Sequence, residues 1–436
     1  MGIFLYFCKN FPKMKVLLIN TSERTGGAAI ACNRLMEALK KSGVRAKMLV
    51  RDKQTDRLSV VAVRPSLLLP LKFLWERLVV LLAMQLNRRN LFQVDIANTG
   101  VDITKMREYE QADIIHLHWV NQGFLSLDTL ERMLTSDKPV VITMHDMWYF
   151  TGICHYASDC RRYLTGCSNC TLLGRGQSAN DVSRRVFERK RKIYAGCHLT
   201  FVGCSRWMAD LAKEGVLTAG HSVTDIPNAI DTTLFCPHSD KVELRRRRGW
   251  PTDKRMILFG AQRITDERKG FEYLREACRL IVQSDTEVAK EAEVVVVGGD
   301  SDKVAGLLPL PVRTVDYVKE PGQMVELYNM VDAYVTPSLQ DNLPNTIVEA
   351  MACGIPCVGF RVGGIPEMID HHVNGYVAEY RSARDLARGI VWTLTADGRN
   401  LSEAARRKAL ETYSEETVAK QYINVYKSLM TDNPHA

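Results

Sequence analysis

The sequence AYVTPSLQDNLPNTIVEAMACGIPCVGF, residues 333–360, joins two short apolar runs through a polar loop and a helical segment. The runs Ala333–Thr336 and Pro356–Phe360 have the length and composition of buried strands. The segment between them predicts a helix that begins near Thr346. A strand, a helix and a second strand in this order form a unit whose strands run parallel.

The same alternation continues on both sides of this unit, and it divides the chain into two halves. It predicts an α/β fold of two Rossmann-like, doubly wound domains, covering residues 14–225 and 232–413, with a ligand cleft between them. The turn-rich stretch Ile226–Asp231 suits a crossing between domains. A last helical segment, in residues 414–436, is expected to cross back to the first domain. The predicted strands are Lys15–Asn20, Ala46–Val50, Ile114–Trp119, Val140–Met144, Leu199–Cys204, Met256–Phe259, Glu293–Val297, Ala333–Thr336 and Pro356–Phe360.

Length and charge fit a two-domain protein with an anionic ligand. The chain has 436 residues, 46% of them hydrophobic, and a net charge of +8, which suits an acidic ligand or membrane surface. No zinc-finger, RRM or basic-helix signature is found, so we expect no nucleic-acid partner. The first strand begins after Met14, so residues 1–13 are interpreted as an upstream extension.

The most apolar stretch, residues 66–86, contains Lys72, Glu76 and Arg77 and therefore lacks the uncharged length of a membrane span. Two interpretations stay open at this point. The stretch is either an amphipathic helix lying on a bilayer or a helix packed on the first domain.

Candidate binding residues follow the strands, where ligands bind in such folds. Gly26 and Gly27 follow the first strand, and small residues there let a phosphate approach the start of a helix; a plain tight turn is the alternative. His145 follows Val140–Met144 and can bond to a sugar hydroxyl, or it is a structural histidine. Arg263 and Lys269 follow another strand and can neutralise a diphosphate.

Asp341 lies in the loop of the opening stretch, and Glu349 lies on its helix, eight positions further on. These carboxylates can bind sugar or ribose hydroxyls, and a helix that starts around Asn345 and Thr346 attracts phosphate. A capping box, Thr346-x-x-Glu349, is the competing structural explanation for Glu349.

Four clustered cysteines suggest a structural zinc. Their spacing ends in C-x2-C, and four thiolates can hold one zinc ion; His155 is a substitute ligand. Disulfides are less favoured in a reducing compartment. The four are Cys154, Cys160, Cys167 and Cys170.

Taken together, these motifs resemble the retaining GT-B glycosyltransferases of family 4. The stretch from Asp341 to Glu349 is similar to the E-x7-E motif of that family, and the resemblance extends over nearly the whole chain from Met14. It includes the Gly-Gly loop, the His-Asp pair and Pro227-Asn-x-x-Asp231. It also includes Arg263…Lys269-Gly and Gly363-Gly-x-x-Glu367. The segment from Thr143 to Trp148, followed by cysteines, is most similar to transferases of the colanic-acid type.

The resemblance implies roles for these residues. Glu349 matches the glutamate that binds the nucleotide ribose, and Arg263 and Lys269 match the diphosphate-binding pair. His145 matches the histidine near the reacting sugar. Asp341 stands where the family has a glutamate on the donor sugar, and this shorter carboxylate puts the identity of the donor in doubt.

The implied activity is transfer of a hexose from a UDP- or GDP-sugar to a glycan or lipid-linked acceptor. The resemblance implies retention of configuration, no metal in the active site, and a place in exopolysaccharide, capsule or lipopolysaccharide assembly. The expected location is cytoplasmic, with peripheral contact at the inner membrane face. A nucleotide-sugar epimerase and a non-catalytic nucleotide-sugar-binding protein are the alternatives.

Overall fold

The structure is a computed structural model that describes residues 14–64, 68–238, 240–284 and 286–431. It divides into two compact units. The first runs to Ile226 and takes in the chain from Val418 onward, and the second is Pro227–Thr417. Residues 1–13, interpreted above as an upstream extension, lie outside the described residues.

The first unit is built on a parallel sheet of seven strands in the order β3-β2-β1-β4-β5-β6-β7. β1 is buried along all but its first residue, which is typical of a strand covered on both faces by helices. The strands are β1 (Lys15–Ser22), β2 (Arg45–Asp52), β3 (Val60–Ala62), β4 (Ile114–Leu117), β5 (Val140–Met144), β6 (Thr200–Gly203) and β7 (Ser222–Asp225).

Six helices of the first unit connect these strands, and three 3-10 turns fill the long connection from β5 to the helix before β6. The helices are α1 (Gly27–Lys41), α2 (Leu68–Ala83), α3 (Arg107–Glu110), α4 (Leu127–Leu134), α5 (Val182–Ala195) and α6 (Arg206–Glu214). The 3-10 turns are Trp148–Phe150, Arg162–Leu164 and Thr171–Gly176.

The second unit has a parallel sheet of six strands in the order β10-β9-β8-β11-β12-β13. The strands are β8 (Arg255–Arg263), β9 (Ala292–Gly299), β10 (Val312–Val315), β11 (Ala333–Thr336), β12 (Cys357–Phe360) and β13 (Gly375–Ala378). The helices are α7 (Lys241–Arg247), α8 (Phe271–Gln283), α9 (Glu287–Glu291), α10 (Ser301–Ala305), α11 (Pro321–Met330), α12 (Asn345–Ala352), α13 (Ile365–Met368), α14 (Ala383–Thr395) and α15 (Gly398–Tyr413), with a 3-10 turn at Glu267–Lys269.

The final helix, α16 (Glu415–Thr431), starts in the second unit and carries its buried tyrosines into the first. The Tyr426 hydroxyl lies 2.7 Å from His116 Nδ1, and the Tyr422 hydroxyl lies 2.9 Å from Thr143 Oγ1. These bonds fasten α16 beside β4 and β5.

Two doubly wound parallel sheets confirm the predicted fold class, and every predicted strand is present within a few residues. Four strands were not predicted: β3, β7, β10 and β13. β7 and β10 are short and half-exposed at sheet edges, so they lack the continuous apolar run of a buried strand. Among the described residues, no helix combines the length and apolarity that crossing a bilayer requires.

Candidate functional site

The loops that follow β8 and β11 in the second unit lie side by side. Gly270 has a φ of 72°, and a Cβ there would lie 1.9 Å from the carbonyl oxygen of Pro337, so only glycine permits this approach. The Leu339 N–H donates to the Arg268 carbonyl at 2.7 Å. The two loops are therefore held in fixed register, and their charged residues become neighbours.

Lys269 and Asp341, both singled out from the sequence, are brought together by this register. Lys269 Nζ lies 2.7 Å from Asp341 Oδ2, and both side chains are partly buried. Gly363, at a φ of 58°, allows a further loop to pack against the Asp341 carbonyl. An ammonium has three N–H donors, so one bond to Asp341 leaves donors for phosphate oxygens.

Arg263 ends β8 and lines an open pocket of about 550 Å3. Gln262, Gly299, Asp300 and Tyr317 complete its lining. Lys303, and more weakly Arg263, lower the pKa of Asp300. Asp300 starts α10 in the left-handed conformation and pairs with Lys303 at 2.5 Å, so the Asp300-Ser-Asp302 stretch is a turn that begins a helix.

Helix α12 begins at Asn345, as the sequence predicts to within a residue. Its N-cap residue is Pro344, which makes no side-chain cap hydrogen bond, so the capping box proposed for Thr346 and Glu349 is wrong. Glu349 is instead buried inside the helix and accepts a 2.9 Å hydrogen bond from the Tyr328 hydroxyl. The N-terminus of a helix, where the first backbone N–H groups have no intrahelical acceptor, is the end that attracts anions.

Asn345 and Thr346 stand in the first turn of α12 and are both partly exposed. Asn345 Oδ1 accepts from Asn228 Nδ2 at 3.1 Å. Asn228 belongs to the Pro-Asn-x-x-Asp stretch that begins the second unit, so this stretch supports the helix start directly.

In the first unit, Gly26 and Gly27 form the start of α1, immediately after β1. Gly26 has a φ of 91° and a Cβ there would meet no atom within 4 Å, so conformation rather than space demands glycine. Gly26 is the N-cap residue of α1 and has no side chain to cap it. The glycine turn is present as predicted, and its phosphate-binding role stays a prediction.

His145 follows β5, and both of its ring nitrogens have partners in the first unit. Nε2 lies 2.9 Å from His118 Nδ1, and Nδ1 lies 3.4 Å from Cys204 Sγ. Although the residue is partly exposed, desolvation by the surrounding protein lowers the pKa of His145 to about 4. The imidazole is therefore neutral near pH 7, which suits a hydrogen bond to a hydroxyl better than charge stabilisation.

Asp146 is a structural anchor for the loop that carries His145. Its carboxylate accepts from Trp119 Nε1 at 2.9 Å, from the Trp148 N–H at 2.9 Å and from His155 at 2.7 Å. Burial opposes the charge on His155, but the Asp146 carboxylate raises the pKa of His155 above its usual value. His155, considered above as a substitute zinc ligand, is thus committed to Asp146.

The cysteine cluster does not form a metal site. Among the described residues, no group of three or more His, Cys, Asp or Glu side chains could hold a metal ion. Burial raises the pKa of the Cys154 thiol strongly and that of Cys167 to about 11, so both stay protonated. Cys167 Sγ accepts the Gly152 N–H at 3.2 Å. The zinc expected at Cys154, Cys160, Cys167 and Cys170 therefore finds no support.

Beside these cysteines lies a buried lysine, which the sequence did not reveal and whose pKa burial lowers to about 7. Lys190 Nζ donates to the carbonyls of Trp148, Thr151 and Gly152 at 2.5, 3.2 and 3.1 Å. It also lies 3.6 Å from the centre of the Trp148 ring. Lys190 thus holds together the loop that follows His145. It lies on α5 among several other basic residues, and nothing in the sequence distinguishes it from them.

The sequence analysis missed two other residues that contact candidate site residues. Cys204 contacts His145, and Tyr328 contacts Glu349. Cys204 directly follows β6, so its position after a strand was an available signal. Tyr328 lies inside helix α11, and nothing in its local sequence indicates its partner.

Comparison with known proteins agrees with this geometry. A model described as Glycosyltransferase Family 4 matches residues 25–234, and one described as Glycosyl transferases group 1 matches residues 254–396. The chain is a glycosyltransferase with the GT-B fold. The first model covers most of the seven-stranded unit, and the second covers the candidate residues of the six-stranded unit.

Individual relatives of this glycosyltransferase have low sequence identity but match over most of their length. N-acetyl-alpha-D-glucosaminyl L-malate synthase of Bacillus anthracis is 23% identical over 76% of the chain and 78% of its own length. WcaC of Escherichia coli, named for colanic acid biosynthesis, is 23% identical over 72% of the chain and 76% of its own length. A crystal structure of Anabaena HepE in complex with UDP-glucose has a TM-score of 0.59 and 17% identity, covering 95% of this chain and all of the other.

Proposed function

We propose that this glycosyltransferase moves a hexose from a UDP- or GDP-sugar to a glycan or lipid-linked acceptor, with retention, in the assembly of a surface polysaccharide. The observation that carries the proposal is the pairing of Lys269 with Asp341 at 2.7 Å in the loop that leads into the N-terminus of α12. It combines a cation for the diphosphate with a carboxylate for sugar hydroxyls. The names of WcaC and of the HepE complex support the pathway and the donor class.

In the proposed reaction, Arg263, Lys269 and the N-terminus of α12 bind the diphosphate. As the bond from the sugar to the β-phosphate breaks, the sugar gains positive charge and the diphosphate gains negative charge. Fixed cations and N–H groups stabilise that developing charge more than they stabilise the intact donor, and this difference lowers the barrier.

The acceptor hydroxyl then forms the new glycosidic bond, and its proton passes to the departing diphosphate. No carboxylate is assigned as a nucleophile. Glu349, oriented by Tyr328, binds the ribose, and Asp341 binds the transferred sugar. Neutral His145 bonds to a hydroxyl of the reacting sugar after exchanging one of its present partners, His118 or Cys204.

The test is a screen of UDP- and GDP-hexoses for release of nucleoside diphosphate, with and without glycan and undecaprenyl-diphosphate-linked sugar acceptors. We expect one donor to be consumed only when its acceptor is present, with a product whose anomeric configuration matches the donor. An epimerised donor would identify an epimerase instead. Tight donor binding without any released diphosphate would identify a binding protein.

A further inference from the structure

Helix α2 of the first unit buries polar side chains and exposes apolar ones. This is the reverse of the usual pattern for a helix packed in a soluble protein. Its buried side chains are Glu76, Arg77 and Val80. Its outward side chains are apolar and 45–59% exposed. We call this set the apolar stripe: Leu68, Leu71, Leu74, Trp75, Leu78 and Leu82. At 100° per residue these positions fall within about a third of the helix circumference.

Exposed large apolar side chains are concentrated in this part of the chain. The described residues contain eighteen exposed large apolar side chains, and eight of them lie between residues 68 and 92: the six of the stripe, Leu86 and Phe92. Scattered exposed leucines are ordinary on a protein surface, whereas a contiguous patch of this kind marks a binding surface.

The helix cannot roll to bury the stripe, because its inner face is fastened by buried polar side chains. Glu76 Oε1 accepts the N–H groups of Ile96 and Ala97 at 3.2 and 2.8 Å. Arg77 donates to the carbonyls of Leu91 and Val94 at 2.7 and 3.0 Å, and Arg77 Nη2 lies 3.1 Å from Asp95 Oδ2. Turning the helix about its axis would break these buried hydrogen bonds and leave their donors and acceptors without partners.

Two glycines hold the backbone of α2 equally close. A Cβ at Gly123 would lie 2.9 Å from the Phe73 nitrogen, and one at Gly176 would lie 1.8 Å from the Ala83 carbonyl oxygen. The helix is thus clamped near both ends by backbone contacts, and the stripe is a fixed outward surface.

The charges around the stripe select its occupant. Glu76 is the only acidic residue between residues 68 and 92, and it is buried, whereas Arg88 and Arg89 at the end of the stripe are exposed. The accessible surface of this segment is therefore apolar and cationic. An anionic bilayer complements both properties, and Trp75 among leucines is typical of a helix lying at the level of the headgroups.

A second copy of the chain fits this surface less well. A two-fold interface would place the same patch on both sides. The patch offers no acidic partner to Arg88 or Arg89, because Glu76 faces its own interior.

We propose that the apolar stripe of α2, together with Arg88 and Arg89, docks the protein on an anionic phospholipid surface. The helix lies parallel to that surface, with its leucines and Trp75 among the upper acyl chains and the arginines among the phosphates. The 16 residues of α2 form a contact about 24 Å long. This inference goes beyond the transfer reaction and does not depend on the identity of the donor.

The experiment is flotation of the full chain with phosphatidylcholine vesicles and with vesicles containing 30% phosphatidylglycerol. We expect binding to the anionic vesicles to exceed binding to the neutral ones by at least about tenfold and to weaken at high salt. The variant Leu74→Gln/Trp75→Gln/Leu78→Gln should lose at least about tenfold on both vesicles. Arg88→Glu/Arg89→Glu should lose at least about tenfold on the anionic vesicles alone.

The matched control is Leu58→Gln, which removes a 93% exposed leucine elsewhere in the same unit and should float like the wild type. Circular dichroism and turnover with a soluble acceptor should be unchanged in every variant, because α2 carries no candidate site residue. A wild-type chain that stays off anionic vesicles overturns the proposal. So does a wild-type dimer that the triple variant converts to a monomer, since the occupant is then a second copy.

Discussion

Lys269 Nζ lies 2.7 Å from Asp341 Oδ2, so the carboxylate that stands at the first acidic position of the E-x7-E-like motif is already bound to a candidate diphosphate cation. Ser338 Oγ lies 3.4 Å from the same carboxylate oxygen. A glutamate here would carry its carboxylate one methylene further from the loop. Because the carboxylate is bound to Lys269, a change in the length of this side chain also moves the Lys269 ammonium.

Lengthening this side chain in Asp341→Glu should change which sugar is transferred. The longer carboxylate shifts its contacts with sugar hydroxyls. A hydrogen bond to a charged group is worth about 1.5–3 kcal/mol, or roughly tenfold or more in relative kcat/KM. The measurement is kcat/KM for a panel of UDP- and GDP-hexoses. Asp266→Glu, on the loop before Lys269, is the control, and an unchanged order of donors in Asp341→Glu would remove Asp341 from the sugar site.

Removing the guanidinium that lines the pocket of the second unit, in Arg263→Ala, should lower kcat by about 100- to 1,000-fold, because one fixed group that stabilises developing charge is lost. Arg279→Ala removes an exposed arginine that pairs with Glu276 on α8 and should keep normal turnover. Melting curves of both variants should match the wild type. Turnover of Arg263→Ala within threefold of the wild type would contradict the role assigned to Arg263.

Tyr328→Phe tests whether Glu349 must be oriented. The phenol donates to Glu349 Oε2 at 2.9 Å inside the protein, and a hydrogen bond to a buried charged group is worth about 1.5–3 kcal/mol. We expect KM for the donor to rise about tenfold while kcat changes little, since the ribose does not react. Tyr273→Phe on α8 is the control. A fall in kcat at constant KM would show that Tyr328 acts in another way.

Much of the fold could be predicted because buried parallel strands are continuous apolar runs. β5 and β11 have their predicted bounds, whereas β7, with the sequence SVTD, has no such run. The position of α12 was predictable from the polar loop before it. Its cap was not, because Pro344 and Thr346 both suit a helix start, and the structure has Pro344 as the N-cap residue.

The candidate site was predictable only as far as residues follow strands. Lys269 and Asp341 are 72 positions apart, and their contact depends on Gly270 and Pro337 closing two loops on each other. The cysteine spacing pointed to zinc. Spacing alone does not tell whether the thiols converge on one point, and the buried Lys190 that fills this region has no sequence signature.

The buried histidines of the first unit should make stability fall in mild acid. Burial lowers the pKa of His116 to about 3 and that of His145 to about 4, and it also lowers the pKa of His118. The unfolded chain, with pKa values near 6.5, binds these protons first. The stabilisation is therefore complete above about pH 6.5 and is lost as pH falls toward 4.

The variant His145→Gln removes one of these titrating groups, so that its contribution to the pH dependence of stability can be measured. We expect the wild type to lose about 2 kcal/mol more unfolding free energy than the variant between pH 7 and pH 5, as measured by urea unfolding. His198→Gln, at an exposed position, should follow the wild type. Parallel pH profiles for the wild type and His145→Gln would show that His145 is not held neutral in the folded protein.

Glu76 should act in the opposite direction, and this tests the network that fixes α2. Burial and the neighbouring Asp95 carboxylate raise the pKa of Glu76 to about 9, although Arg77 opposes the rise. The folded protein then holds a proton that the unfolded chain releases above about pH 4.5. Its contribution to stability is complete below that pH and is lost as pH rises toward 9.

Glu76→Gln keeps an oxygen to accept the Ile96 and Ala97 N–H groups but has no proton to lose. Relative to the wild type, the variant should gain about 3 kcal/mol between pH 6 and pH 8.5, measured by urea unfolding at both pH values. Glu110→Gln, an exposed glutamate of the same unit, should show no such gain. If Glu76→Gln and the wild type keep a constant difference, Glu76 is ionised throughout, and its charge is balanced by Arg77 alone.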